Sequence, residues 1–164
     1  MKFRMVDRII DFQPKRSIRG IKVVSFEEYQ LKSAFADDPH LPETLIMEGL
    51  FQLGNWLIML SSDFSQMGLL VRTNQVQFLE VLRPGQSLLM EVEVRSYRSD
   101  GIAFDGRAFA DQKAIATSKG CLAAPVELTD YYDADDLRVL FSQIYRPLNS
   151  SCVVRSSSCV VRRA

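Results

Sequence analysis

Pro42-Glu43-Thr44-Leu45-Ile46-Met47-Glu48-Gly49-Leu50-Phe51-Gln52-Leu53-Gly54-Asn55-Trp56-Leu57-Ile58-Met59-Leu60 is the segment on which the fold turns. A proline suits a helix start, where its missing N–H would have no partner in any case. The apolar run behind it predicts a helix from Pro42 to about Leu60. Leu45, Ile46, Met47, Leu50, Phe51, Leu53, Trp56, Leu57 and Ile58 cover most of the circumference, so the helix is predicted to be buried on nearly all sides.

The flanking sequence supplies the cover. Val6 to Phe12 and Ser17 to Ser25 are β-rich runs joined by Gln13-Pro14-Lys15-Arg16, which suits a hairpin. Phe35 to Pro42, with its prolines and aspartates, is a loop. Downstream, Leu69 to Phe78, Ser87 to Arg98, Ile102 to Ala110 and Ala114 to Ala123 are strand-like, with turns at Arg83-Pro84-Gly85, Ser99-Asp100-Gly101 and Asp111-Gln112-Lys113. Two strands, a buried helix and four more strands predict an α+β domain in which an antiparallel sheet wraps a central helix, the hot-dog arrangement. Beyond Pro125, Asp133 to Tyr145 has Leu137, Leu140, Phe141 and Ile144 at helical spacing and predicts a C-terminal amphipathic helix capped by Asp133. Ser-Cys-Val-Val-Arg occurs at Ser151 to Arg155 and again at Ser158 to Arg162, too short a duplication for a structural repeat. The expectation is one domain over residues 1–147, followed by a disordered or vector-derived tail over 148–164.

Composition narrows the function. The 164 residues are 47% hydrophobic, enough for a substantial core, and their 20 basic and 20 acidic residues cancel. No global field holds nucleic acid or an anionic membrane surface. The first eight residues, Met1 to Arg8, are interrupted by charge too often for a signal peptide, and no later run spans a bilayer, so the expected setting is cytoplasmic. Cys121, Cys152 and Cys159 show neither metal-ligand spacing nor a disulfide framework, and no metal is expected. P-loop, dinucleotide-glycine and nucleophile-elbow patterns are missing.

Thr44, Glu48, Gln52 and Asn55, spaced by four, four and three residues, draw a polar stripe along the apolar helix. If the stripe faces a ligand tunnel, partial desolvation raises the Glu48 pKa and suits it to general acid or base work. The bland alternative pairs Glu48 with an arginine or has it emerge at the helix edge. His40, the one histidine, lies in the loop before the helix, in reach of a site at its N-terminus or simply solvated.

Ser33-Ala34-Phe35-Ala36-Asp37-Asp38-Pro39-His40-Leu41-Pro42-Glu43-Thr44-Leu45-Ile46-Met47-Glu48-Gly49-Leu50-Phe51-Gln52 resembles the signature of the 3-hydroxyacyl-acyl carrier protein dehydratases, Gly-His-Phe-Pro-Gly-x-Pro-x-x-Pro-Gly-x-Leu-x-x-Glu-Ala-x-x-Gln. Val6-Asp7-Arg8 with Asp11-Phe12, and Phe78 followed by Pro84-Gly85-Gln86, extend the resemblance over roughly Phe3 to Ala123. It implies a homodimer, or an assembly of dimers, with sheets joined edge to edge. It also implies an acyl tunnel at the subunit interface, entered by the phosphopantetheine arm of acyl carrier protein or coenzyme A, with no further cofactor. In the family a loop histidine takes the α-proton and an acid on the central helix helps the β-hydroxyl leave as water. Glu48 matches the acid and Gln52 its neighbouring glutamine; Phe35, Glu43 and Thr44 fall among the substrate-binding positions.

Three departures fall on that machinery. Ala34 stands at the histidine, Ala36 at the proline after Phe35, and Glu43 at the glycine whose N–H helps hold the thioester carbonyl. A positioned base is worth about 10² to 10⁴ in rate. Three readings follow: a dehydratase-like protein with impaired or altered catalysis, in which His40 or a residue of another chain replaces the base; an acyl thioesterase using Glu48; and a non-catalytic acyl-carrier-binding subunit, alone or in a heteromer with an active homologue.

Overall fold

The computed structural model describes residues 4–27 and 37–148. The hairpin β1 (Arg8–Gln13) and β2 (Ser17–Val23) comes first, followed by the central helix α1 (Glu43–Ser61). Then come β3 (Gln66–Arg72), β4 (Gln75–Phe78), β5 (Ser87–Arg98), β6 (Gly101–Ala110) and β7 (Lys113–Glu127). A short 3-10 turn at Leu128–Asp130 leads to the C-terminal helix α2 (Ala134–Ile144). The strands form one antiparallel sheet in the order β1-β2-β5-β6-β7-β3, with β4 also on β7. Its inner face wraps α1, as the hot-dog expectation requires.

Helix and sheet touch because small residues let them. A Cβ on Gly49 would lie 2.8 Å from the Met90 sulfur, and one on Gly54 would lie 3.0 Å from the Phe104 ring. Ile46, Leu50, Leu53, Trp56, Leu57 and Ile58 are buried against Leu88, Met90 and Val92 of β5 and against Ile102 and Phe104 of β6. Alternation on β5, buried at Leu88, Met90 and Val92 and more open at Leu89, Glu91 and Glu93, is what a sheet covered on one face demands.

Several boundaries need correction. Pro42 caps α1 from outside, in an extended conformation (φ −50°, ψ 132°), and the helix begins at Glu43. Leu69 to Phe78 is two strands, for seven in all. The break at Thr73-Asn74 faces Gly120, whose φ of +63° and missing Cβ leave room for Asn74; a Cβ there would lie 2.5 Å from the Asn74 amide nitrogen. β7 runs on past Ala123 to Glu127 and through Pro125, which is tolerated because β6 ends its pairing at Ala123 and asks no hydrogen bond of that proline.

The C-terminal helix is capped as read: the Asp133 carboxylate accepts from the N–H groups of Asp135 and Asp136. Phe141 brings the helix onto the core, stacked on Tyr145 at 4.9 Å between centroids and tilted against Trp56 at 6.2 Å. The chain then lies along β1, where Arg146 N–H donates to Ile9 C=O and Leu148 N–H to Ile10 C=O. Among the described residues no helix is long and apolar enough to cross a membrane.

Candidate functional site

The polar stripe of α1 lies where the wrapped sheet comes round on itself. Gln52, buried, accepts through Oε1 from Met5 N–H at 2.8 Å, just ahead of the edge strand β1. Asn55 accepts through Oδ1 from Gly68 N–H at 2.9 Å, in β3 at the other edge. One face of the helix thus touches both edges of the sheet, and these two amides satisfy backbone donors that would otherwise be stranded there. Thr44, in the first turn, is exposed, and Glu43 beside it is half-buried.

Glu48 sits between these ends. It is half-buried, and Gln52 Nε2 donates to its Oε1 at 2.8 Å. Among the described residues no lysine or arginine pairs with it. The Gln52 side chain is spent in both directions, accepting from Met5 and donating to Glu48, and so aims the carboxylate. A carboxylate oriented by an amide and, among the described residues, held by no cation can exchange a proton or activate water.

His40, two residues before the cap, is drawn into a different set of contacts. Its Nδ1 lies 2.6 Å from the Asp38 carbonyl oxygen and 3.6 Å from the Asp38 carboxylate. Arg83 from the β4–β5 connection grips that carboxylate with two contacts, at 3.0 and 3.3 Å, and Leu41 N–H donates to Leu82 C=O at 2.7 Å. The turn at Arg83-Pro84-Gly85, read from the sequence only as a strand connection, therefore fastens the segment that leads into the site helix. Nothing local announces this, since Asp38 and Arg83 are 45 residues apart. Ala34, Phe35 and Ala36 lie outside the described residues, as do Cys152 and Cys159.

A groove of about 580 Å³ opens on the sheet, lined by Arg19, Glu91, Arg95, Asp105, Arg107 and neighbours. Its charges answer one another across strands: Glu91 sits 3.0 Å from Arg19 and 3.4 Å from Arg107, and Asp105 2.9 Å from Arg95. Burial pushes the Asp105 carboxyl up, but the Gly120 N–H and Arg95 together hold it below the usual carboxylate range. The lining holds five cations (Arg16, Arg19, Arg95, Arg107 and Lys119) against three acids (Glu91, Glu93 and Asp105), and Glu48 and His40 are not among its residues.

A family model for the FabA-like domain matches residues 1–119. The 3-hydroxyacyl-[acyl-carrier-protein] dehydratase FabZ of Caldanaerobacter subterraneus is 32% identical over 118 residues, covering 71% of this chain and 84% of the relative. The chain belongs to the FabA-like family. Solved structures agree on the fold. A hot-dog-like protein from Thermanaerovibrio acidaminovorans superposes with a TM-score of 0.57 at 16% identity, covering 79% of this chain and 91% of that one. The dehydratase heterocomplex ApeI:P from Xenorhabdus doucetiae gives 0.56 at 16%, covering 69% and 92%. The FabA-like match carries through β1, β2, α1 and the hairpins to position 119, so α1 and Glu48 lie inside it.

Proposed function

We propose that this FabA-like protein binds acyl thioesters carried on acyl carrier protein or coenzyme A, and that it is a dehydratase-like lyase of fatty-acyl metabolism with weakened chemistry. The supporting observation is Glu48: a half-buried carboxylate on the central helix, oriented by Gln52 and engaged by no cation among the described residues. In a dehydration it serves as the acid that protonates the leaving β-hydroxyl. Ala34, at the position of the dehydratase histidine, accounts for the weakening. Phe35, Glu43 and Thr44 are the substrate-binding positions by resemblance; at the helix N-terminus, where Glu43 and Thr44 stand in the first turn, the helix dipole favours a developing thioester oxyanion and the Glu43 carboxylate opposes it.

The protein acts in the cytoplasm as a homodimer or an assembly of dimers joined at β3, with the acyl tunnel at the interface. A heteromer with an active homologue is the alternative, and the ApeI:P dehydratase heterocomplex shares the fold. No cofactor enters beyond the substrate's own phosphopantetheine arm.

The test is restoration. Hydration of an enoyl thioester, the reverse of dehydration, is expected to be weak in the natural chain and to rise in Ala34→His. Ala36→Pro and Glu43→Gly should add to the gain, because an error of about 1 Å in a catalytic group costs about 10²-fold. If the triple variant folds and binds an acyl thioester yet hydrates nothing above background, the dehydratase-derived site is wrong. Release of free acid from saturated thioesters would point to the hydrolase, and binding without turnover to the silent subunit.

A further inference from the structure

The outer face of the sheet carries more positive charge than its own acids answer. Glu91 serves both Arg19 and Arg107, and Arg95 reaches Asp105 at 2.9 Å and Glu93 at 3.7 Å. The three acids of the groove are spent on three arginines, and of its cations Arg16 and Lys119 are left over. Arg16 forms no ion pair among the described residues, and Lys119 pulls only at a distance on Asp105, which Arg95 already holds. Beside the groove, sharing Glu91 with it, Leu89 and Phe109 line a smaller hollow of about 230 Å³. A partner that fits this face brings carboxylates with an apolar or aromatic side chain among them.

The same chain holds such a surface elsewhere. Between Glu127 and Asp136 stand five acids, Glu127, Asp130, Asp133, Asp135 and Asp136, and no lysine or arginine. All five are exposed, and Tyr131 stands among them 53% exposed. The start of α2 accounts for Asp133, Asp135 and Asp136, whose charge suits a helix N-terminus, but Glu127 and Asp130 precede it. Arg138 comes within 4.0 Å of Asp135 and lies closer to Asp63, at 3.1 Å. Among the described residues no ion pair joins an acid of this ridge to a cation of the groove, and the two surfaces share no residue.

From this complementarity we propose that the acidic ridge of one copy docks in the basic groove of a second copy, with Tyr131 set against the arginines. An aromatic ring beside a guanidinium gains electrostatic attraction as well as buried area. The contact is head-to-tail: a copy that gives its ridge keeps its groove, so the association runs on to further copies. No residue of β3 lines the groove or belongs to the ridge, so the contact adds to the pairing at that edge. Exposed ion pairs carry it, which makes it weak, with a dissociation constant on the order of 100 µM at low salt, and sensitive to screening.

The test is sedimentation velocity of the full-length chain, from micromolar to several hundred micromolar, in about 0.02 M and about 0.5 M salt. At low salt the mean mass should climb with concentration beyond that of the β3-paired assembly, and at high salt it should fall back. Arg16→Glu with Lys119→Glu should weaken this association at least about tenfold, and so should Glu127→Lys with Asp130→Lys. Arg16→Gln with Lys119→Gln, gentler on the fold, should lose part of it. An equimolar mixture of the two reversed variants should associate again, because the reversed groove meets the reversed ridge; thermal melts show that each variant is folded. A natural chain whose mass does not climb at low salt, a climb that salt leaves unchanged, or a mixture that associates no more than either variant alone overturns the proposal. Poly-glutamate bound by a natural chain that does not self-associate gives the groove to another acidic partner and overturns it too. None of these readouts uses an acyl thioester, so failure of the acyl-thioester reading leaves the test intact.

Discussion

The two edges of the sheet are finished differently. At β1 the chain covers its own edge: Tyr145 to Leu148 runs alongside, and Arg146 and Leu148 donate to Ile9 and Ile10. At β3 nothing in the described chain does the same, and the strand presents Leu69, Leu70 and Val71, the last 62% exposed. An apolar strand with an open ladder is an invitation to pair, and natural chains usually blunt such edges with charge, proline or a covering segment. One edge here has the covering segment and the other has leucine and valine. Among the described residues β3 is left open, and it is the edge at which the proposed dimer would join. Asn55 ties the site helix to that bare strand, so whatever docks there approaches the Glu48 stripe.

The comparison breaks most visibly at β3. In Leu70→Lys with Val71→Lys, light scattering at micromolar concentration should report a monomer where the natural chain is a dimer or larger. Each buried side chain of this size is worth about 1.5–3 kcal/mol, and a two-fold contact uses it twice. A natural chain that is already monomeric, or a double variant of unchanged mass, removes the edge-to-edge assembly.

The covered edge should yield a stability effect instead. Phe141→Ala takes away the ring that stacks on Tyr145 and leans on Trp56 and Phe64, and a half-buried phenylalanine should cost about 2–3 kcal/mol in urea unfolding. Asp133→Ala, which strips the N-cap of the same helix, should cost about 1 kcal/mol. A loss under about 0.3 kcal/mol in either variant would mean that the helix does not hold the covering segment in place. The smallest effect belongs to the tail: ending the chain after Leu148 keeps both bonds to β1 and should leave Tm and solubility unchanged, whereas ending it after Ile144 uncovers the edge and should promote aggregation.

Much of this was legible because it is local. The periodicity of Leu45 to Ile58 marked the buried helix, the paired turn residues marked the hairpins, and Asp133 marked the second helix. What was not legible depends on residues meeting across the fold. The break between β3 and β4 follows from Asn74 fitting over Gly120, and Pro125 survives in a strand only because β6 stops short of it. Tyr145 to Leu148 carries no sign of its strand-like use, because the partner that makes it one is β1. The site divides the same way: spacing placed Glu48 beside Gln52, whereas the backbone partners of Gln52 and Asn55 and the grip of Arg83 on Asp38 come from distant segments.

The account stands or falls on the Glu48 carboxylate. The direct measurement is mass analysis of products from 3-hydroxyacyl, enoyl and saturated acyl thioesters incubated with the natural chain and with Glu48→Gln, a swap that keeps the size and removes the ionisable proton. The account predicts slow interconversion of the 3-hydroxyacyl and enoyl forms by the natural chain. It predicts a loss of about 10² to 10⁴ in the variant with its unfolding midpoint little changed. Equal turnover by a folded Glu48→Gln protein would contradict it.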